Sequence, residues 1–211
     1  MKKWLLGFVL ALACSPASAQ CVAVGGVNNV PVPGLSCLNE PLQPSYAATG
    51  VGVVAAAAAT DVACLTGSAT RVIRVQQIRI GGTATTAISV PVLLMKRATA
   101  DTGGTAATGT ALPVPYSLDS TMAAATATTI AYTANPTVND ASPGIVDSAE
   151  LSLPLIATGS ASAVNFDYQP RNYVEAITLR GVAQQLCVNL NATSPAGNLL
   201  NVTFRWTELT Q

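Results

Sequence analysis

The stretch "LLNVTFRWTE", residues 199–208, sets the terms for the rest of the chain. Leu200, Val202, Phe204 and Trp206 share one parity while Asn201, Thr203 and Arg205 share the other, the period of an antiparallel strand with one dry face and one wet face. A helix would distribute those four apolar side chains around its axis, so only strand pairing buries them together.

Shorter segments repeat this pattern. In "AISVPVLLMK", Ile88, Val90, Val92 and Leu94 alternate with Ser89, Pro91, Leu93 and Met95, and Pro91 cannot donate to a ladder, which predicts an edge or a bulge there. "RVIRVQQIRI" puts Ile73 and Val75 on one parity and Ile78 and Ile80 on the other, and a β-bulge near Gln76-Gln77 would return all four to one face. "TTIAYT", "GIVDSAELSL", "AVNFDY", "VEAITLRG" and "QLCVNL" are further strand candidates, and "GVGVVAAAAATDVACL" reads as strand or loop because Gly50 and Gly52 precede its alanines and no polar face follows. Eight or nine strands separated by Gly, Pro, Thr, Asn and Asp, with hardly a convincing helix, predict an all-β antiparallel sandwich, jelly-roll-like, with two four-stranded sheets.

The first residues, "MKKWLLGFVLALACSPASAQ", run from Lys2 and Lys3 through an apolar segment to Ala17-Ser18-Ala19, the pattern of a secretory leader cleaved before Gln20. Its apolar run is about half of what a membrane span needs, so no stable span is expected once the leader is removed. Lipoprotein processing at Cys14 is the weaker alternative, since Ala11 stands where a lipobox has Leu. The expected organisation is therefore a leader over residues 1–19, a Pro/Gly-rich arm over 20–50 and a sandwich over 51–211, exported and extracellular. Hydrophobic residues make up 50% of the chain, but much of that is Ala, so Val, Ile and Leu must build the core.

Without Lys2 and Lys3, ten acidic residues outnumber eight basic ones and no His is present. That balance argues against a nucleic-acid partner, and Arg71, Arg74 and Arg79 on one strand read as a solvated face. It also removes Ser-His and Cys-His nucleophile pairs and imidazole metal sites.

Asp101-Thr102-Gly103 is the tripeptide of an aspartic protease loop, yet that chemistry needs two aspartates sharing a proton, each in a turn braced by apolar strands. Only one such tripeptide occurs and apolar bracing is missing after Gly104, so the segment reads as an exposed loop tip with Gly103-Gly104 at its turn, dispensable for folding. A carboxylate pair drawn from Asp140, Asp147, Glu150, Asp167 and Glu175 would suit a glycosidase, and Asp140 with Asp147 a Ca²⁺ loop, but neither set has a diagnostic spacing. The sequons at Asn191 and Asn201 read as ordinary turn and strand residues. No catalytic residue, cofactor site or metal site is assigned.

Cys21, Cys37, Cys64 and Cys187 follow the leader, an even number in a chain addressed to an oxidising compartment. Three pairings exist. Cys21 with Cys37 across the arm and Cys64 with Cys187 between two strand-like runs is the preferred set, with four buried thiols as the alternative.

Five stretches, "LTGSATRVIRVQQIRIGGTAT", "VLLMKRATADTGGTAATGTALP", "AAATATTIAYTANPT", "ITLRGVAQQLCVNLNA" and "VTFRWTE", together resemble a group of phage and prophage-encoded proteins of unassigned or virion-structural role, from roughly residue 60 to the C-terminus. The resemblance implies a non-enzymatic virion component, a capsid decoration or fibre-like subunit acting through protein–protein contacts, with the leader retained at a virion surface. The competing expectation is a secreted or cell-surface β-sandwich adhesin or matrix protein. In either case weakly charged flanks and an arm suited to reaching a neighbour favour self-association, as a trimer by analogy with jelly-roll subunits.

Overall fold

The computed structural model describes residues 43–210 apart from 57, 59, 139, 141–143, 159–161, 169–175 and 192. The leader, most of the arm, Cys21, Cys37 and Glu175 lie outside the described residues. Among the described residues there are twelve strands: β1 (Ser45–Val53), β2 (Asp61–Thr66), β3 (Arg71–Thr83), β4 (Ile88–Arg97), β5 (Thr105–Ala106), β6 (Val114–Ser117), β7 (Thr128–Ala134), β8 (Gly144–Leu153), β9 (Ser162–Asp167), β10 (Ile177–Arg180), β11 (Gln185–Asn189) and β12 (Leu199–Thr210).

They form two antiparallel sheets of six, one ordered β10-β3-β12-β1-β6 with β9 also on β3, the other β5-β7-β2-β11-β4-β8. The all-β sandwich is thus the fold, with six strands per sheet where four were expected. The strands that were not expected are the short β5 and β6, of two and four residues, and β1, most of which lies in the segment assigned to the arm. β1 begins at Ser45, ahead of residue 51, where the sandwich was expected to start. Among the described residues no helix is long and apolar enough to cross a membrane.

Core packing follows the parity of the strands. Leu200, Val202, Phe204 and Trp206 of β12 are fully buried beside Ile73, Val75, Ile78 and Ile80 of β3, and across the sandwich they join Leu65, Val90, Val92, Leu94, Leu151, Leu186 and Val188 in one cluster. Tyr46 of β1 stacks on Trp206 at 5.8 Å between ring centres. The phase change in β3 is resolved by a bulge: Arg205 pairs with Gln77 and Trp206 with Val75, so Gln76 has no partner on β12. Gln76 instead accepts a hydrogen bond through its carbonyl from the Tyr168 N–H at 2.7 Å.

Pro91 sits where a missing donor costs little. β4 lies between β11 and β8 and not at an edge: Pro91 pairs with Glu150 of β8 on one side, the β11 ladder on the other ends at Leu93, and the extra residue where the β4–β8 ladder shifts, Val146, is on β8.

Deleting Gln76 should remove the bulge and leave the fold in place. With Gln76→Ala the bulge persists and stability is expected to change by about 1 kcal/mol or less. With the deletion, Val75 stays opposite Trp206 and Gln77 opposite Arg205 in a regular ladder, Ile73, Val75, Ile78 and Ile80 all stay inward, and a cooperative thermal transition should persist in calorimetry.

Candidate functional site

Ionisable and sulfur-bearing side chains gather on the face of the second sheet that points away from the sandwich core. Neighbouring strands β2, β11 and β4 place them there: Cys64 pairs with Cys187 and Thr66 with Gln185, while Gln185 pairs on its other side with Arg97. Cys64 and Cys187 form a disulfide, as the even cysteine count suggested, and with Tyr132 they make a small apolar cluster separate from the main core. After β4 the chain must travel to β5, which lies beyond β11, β2 and β7 in the sheet order. Residues 98–104 make that crossing.

Asp101 in this crossing is not exposed, contrary to the loop-tip expectation. Its side chain is 0% accessible, its N–H donates to Oε1 of Gln185 at 2.9 Å, and its Oδ2 lies 3.9 Å from Sγ of Cys64. The turn itself is where the glycines predicted it, with Gly103 at φ +67° and Gly104 at φ +74°. Thr102 exchanges two backbone hydrogen bonds with Thr137, which hold the turn against the β7 side of the sheet. What the sequence pattern missed is that the residue two positions before such a turn faces inward.

The inward side of Asp101 meets a buried ion pair. Arg97 donates from Nε to Oδ2 of Asp61 at 2.6 Å and also lies 3.6 Å from Oδ1 of Asp101, while Asn189 donates to the other oxygen of Asp61 at 2.7 Å. Gln185 donates from Nε2 to Thr66 Oγ1 at 2.9 Å, so its amide bridges strand and crossing. Burial opposes the charge on Arg97, and Asp61 outweighs it, holding the guanidinium protonated. For Asp101, burial first and then the hydrogen bond and charge of Asp61 push the carboxyl from 3.8 up to about 7, against the pull of Arg97. Burial also raises Tyr132 to about 12, reinforced by the charges of Asp101 and Asp61. Just below neutral pH the Asp101 carboxyl is therefore held largely in its protonated form. Arg97 Nη1 and Asp101 Oδ1 are the cluster's two buried atoms without a hydrogen-bond partner.

A second carboxylate thus does stand near Asp101, but it comes from the start of β2 rather than from a matching turn. Both carboxyl side chains are fully buried and both lie against the Arg97 guanidinium. For a metal, Asp61, Cys64, Asp101 and Cys187 offer ligand atoms all within 4.8 Å of one another. The disulfide consumes both sulfurs, and Arg97 neutralises the carboxylates that are left.

The other acids are scattered. Asp140 accepts from the Ala98 N–H at 2.6 Å, Asp147 from the Tyr168 hydroxyl at 2.8 Å, and Glu150 from the Ser89 hydroxyl at 3.0 Å. Burial and the Asp147 carboxylate raise the Tyr168 hydroxyl's pKa well above its ordinary value. Asp167 lies on β9 opposite Gln77, and among the described residues neither Asp140 nor Asp147 belongs to a cluster of three metal-capable side chains. Glu208, which the sequence pattern did not single out, is buried and accepts hydrogen bonds from the N–H groups of Thr126 and Ala127, the Thr126 hydroxyl and the Trp206 indole. Its signal was present, because Glu208 continues the inward parity of Phe204 and Trp206.

No family model, no curated protein and no solved structure matches this chain.

The raised Asp101 carboxyl gives a signed pH dependence. The unfolded chain ionises at 3.8 and the folded one near 7, so this contribution to stability is whole below 3.8 and is lost as pH rises to 7. Between pH 5 and pH 8.5 the wild type should lose about 2 kcal/mol from this group, and Asp101→Asn should flatten the profile in thermal melts. A second expectation concerns the bridge, which spans 123 residues of sequence. Replacing Cys64 and Cys187 together by Ala should cost about 2–4 kcal/mol in denaturant titration, and non-reducing peptide maps of the wild type should recover the linked pair.

Proposed function

We propose that the chain is a non-enzymatic structural subunit that works by repeated protein–protein contact, as a virion component of the decoration or fibre-like kind. The observation that carries this reading is the free edge of the first sheet. Among the described residues β6 pairs with β1 alone, and along it and just past it Val114, Tyr116 and Leu118 are 62%, 75% and 59% exposed. An edge strand with a bare aromatic ring, two aliphatic neighbours and no charge is a template for another chain. Few charges elsewhere oppose association, and the densest set of ionisable groups is locked inside the molecule, where it holds strands together. The resemblance of its strand and turn stretches to phage proteins is the ground for the virion form of this proposal.

A specific observation favours a second reading, a secreted or cell-surface adhesin. The Cys64–Cys187 bridge suits an oxidising compartment, as does the leader-like N-terminus, whereas phage heads assemble in reducing cytoplasm. Finding the chain in gradient-purified particles after prophage induction supports the virion, and finding it in washes of uninduced cells supports the adhesin.

Self-association is tested by light scattering on residues 20–211. The wild type should be oligomeric at micromolar concentration, a trimer in the simplest case, and Tyr116→Glu combined with Val114→Lys should yield a monomer with an unchanged melting temperature. A wild-type monomer at high micromolar concentration would overturn the reading.

A further inference from the structure

The outward face of the first sheet carries a groove of about 270 Å³. Strand register puts two rows of side chains side by side there. One row runs Thr49, Thr203, Arg79 and Asn165 across β1, β12, β3 and β9, and the next runs Val51, Asn201, Gly81 and Ala163. Gly81 shapes the groove. A Cβ at this position would lie 2.5 Å from the Ser162 carbonyl oxygen and 3.0 Å from the Ala163 Cβ, so β9 leans over the sheet and forms a wall.

The groove presents donors. Asn201 uses Oδ1 to accept from the Gly52 N–H at 3.0 Å, which leaves its amide NH₂ for a ligand. Thr49 and Thr203 share one hydrogen bond at 3.1 Å, so one hydroxyl proton of the two is uncommitted. Arg79 lines the groove, and among the described residues its guanidinium is in no ion pair or side-chain hydrogen bond. Among the described residues no acidic side chain lines the groove. A planar fork of N–H groups beside an amide and hydroxyls matches a carboxylate attached to a body rich in hydroxyl oxygens.

We infer that this groove binds the carboxylate-bearing sugar of an acidic glycan, with Arg79 on the carboxylate and Asn201, Thr203 and Ser162 on ring hydroxyls. Its size, at the low end for ligand sites, suits a single sugar unit. An acidic peptide fits less well, because backbone groups of the sheet are already paired at this face and offer a peptide no main-chain partners. A nucleic-acid strand would need a run of cations and stacking rings, and among the described residues the groove has one cation and no aromatic side chain.

The test is a calorimetric and NMR titration of residues 20–211 with four probes: D-glucuronic acid, D-glucose, acetate and tetraglutamate. Glucuronic acid should bind at least about tenfold more tightly than any of the other three. Arg79→Gln should abolish that preference, and Arg79→Lys should keep only part of it, because the charge remains and the fork is lost. Arg205→Gln, on the same face but outside the groove, should leave binding unchanged. Glucose or acetate matching glucuronic acid, tetraglutamate binding more tightly, or an equal loss in the Arg79 and Arg205 variants would each overturn the inference, as would no binding by any probe. The β6 double variant should retain full binding, which keeps this inference separate from self-association.

Discussion

The sandwich depends on one ladder, the pairing of β12 with β3 over their whole lengths. Both strands bring large apolar side chains to the same side, and burying Phe204 and Trp206 with four β3 aliphatics supplies burial free energy on the order of 2 kcal/mol for each side chain. That gain exists only because Gln76 absorbs a one-residue slip. β1, β9 and β10 are then laid against the two partners, so the bulge fixes the facing of most of the first sheet.

The second sheet uses a different device on its outer side. A buried ion pair is an uncertain source of net stability, because desolvating both charges offsets much of their attraction. Its effect here is positional. Asp61, Arg97, Asn189 and Gln185 come from three adjacent strands, and Asp101 joins them from the crossing, so no member can leave without exposing an unpaired polar group to an apolar surrounding. Glu208 does the same at the other sheet, fastening Thr126 and Ala127 to the end of β12.

Most of this fold was legible wherever side chains were large. The strands β3, β4 and β12, the slip at Gln76-Gln77 and the difficulty at Pro91 all follow from Val, Ile, Leu, Phe and Trp at alternating positions. β1 was not legible, because Ala47, Ala48, Gly50 and Gly52 blur its parity, and β6 was too short and contains Pro115. Of the site, the Cys64–Cys187 bridge could be read from cysteine number and flanking apolar runs. The Arg97–Asp61–Asp101 cluster could not, since charged residues at strand ends read as solvated and only long-range strand order brings residues 61, 97 and 189 together. Arg79 was read as part of a solvated face; it is exposed, and the groove beside it is created by a glycine whose neighbour in space comes from β9.

The bridge lies on the outer side of its sheet, yet both sulfurs are fully shielded, with the Asp101 carboxyl against one of them. A dissolved thiol can attack only after the overlying layer parts. The half-life of the bridge in excess reductant is therefore a clock for that local opening, reporting a fluctuation that leaves the main core closed.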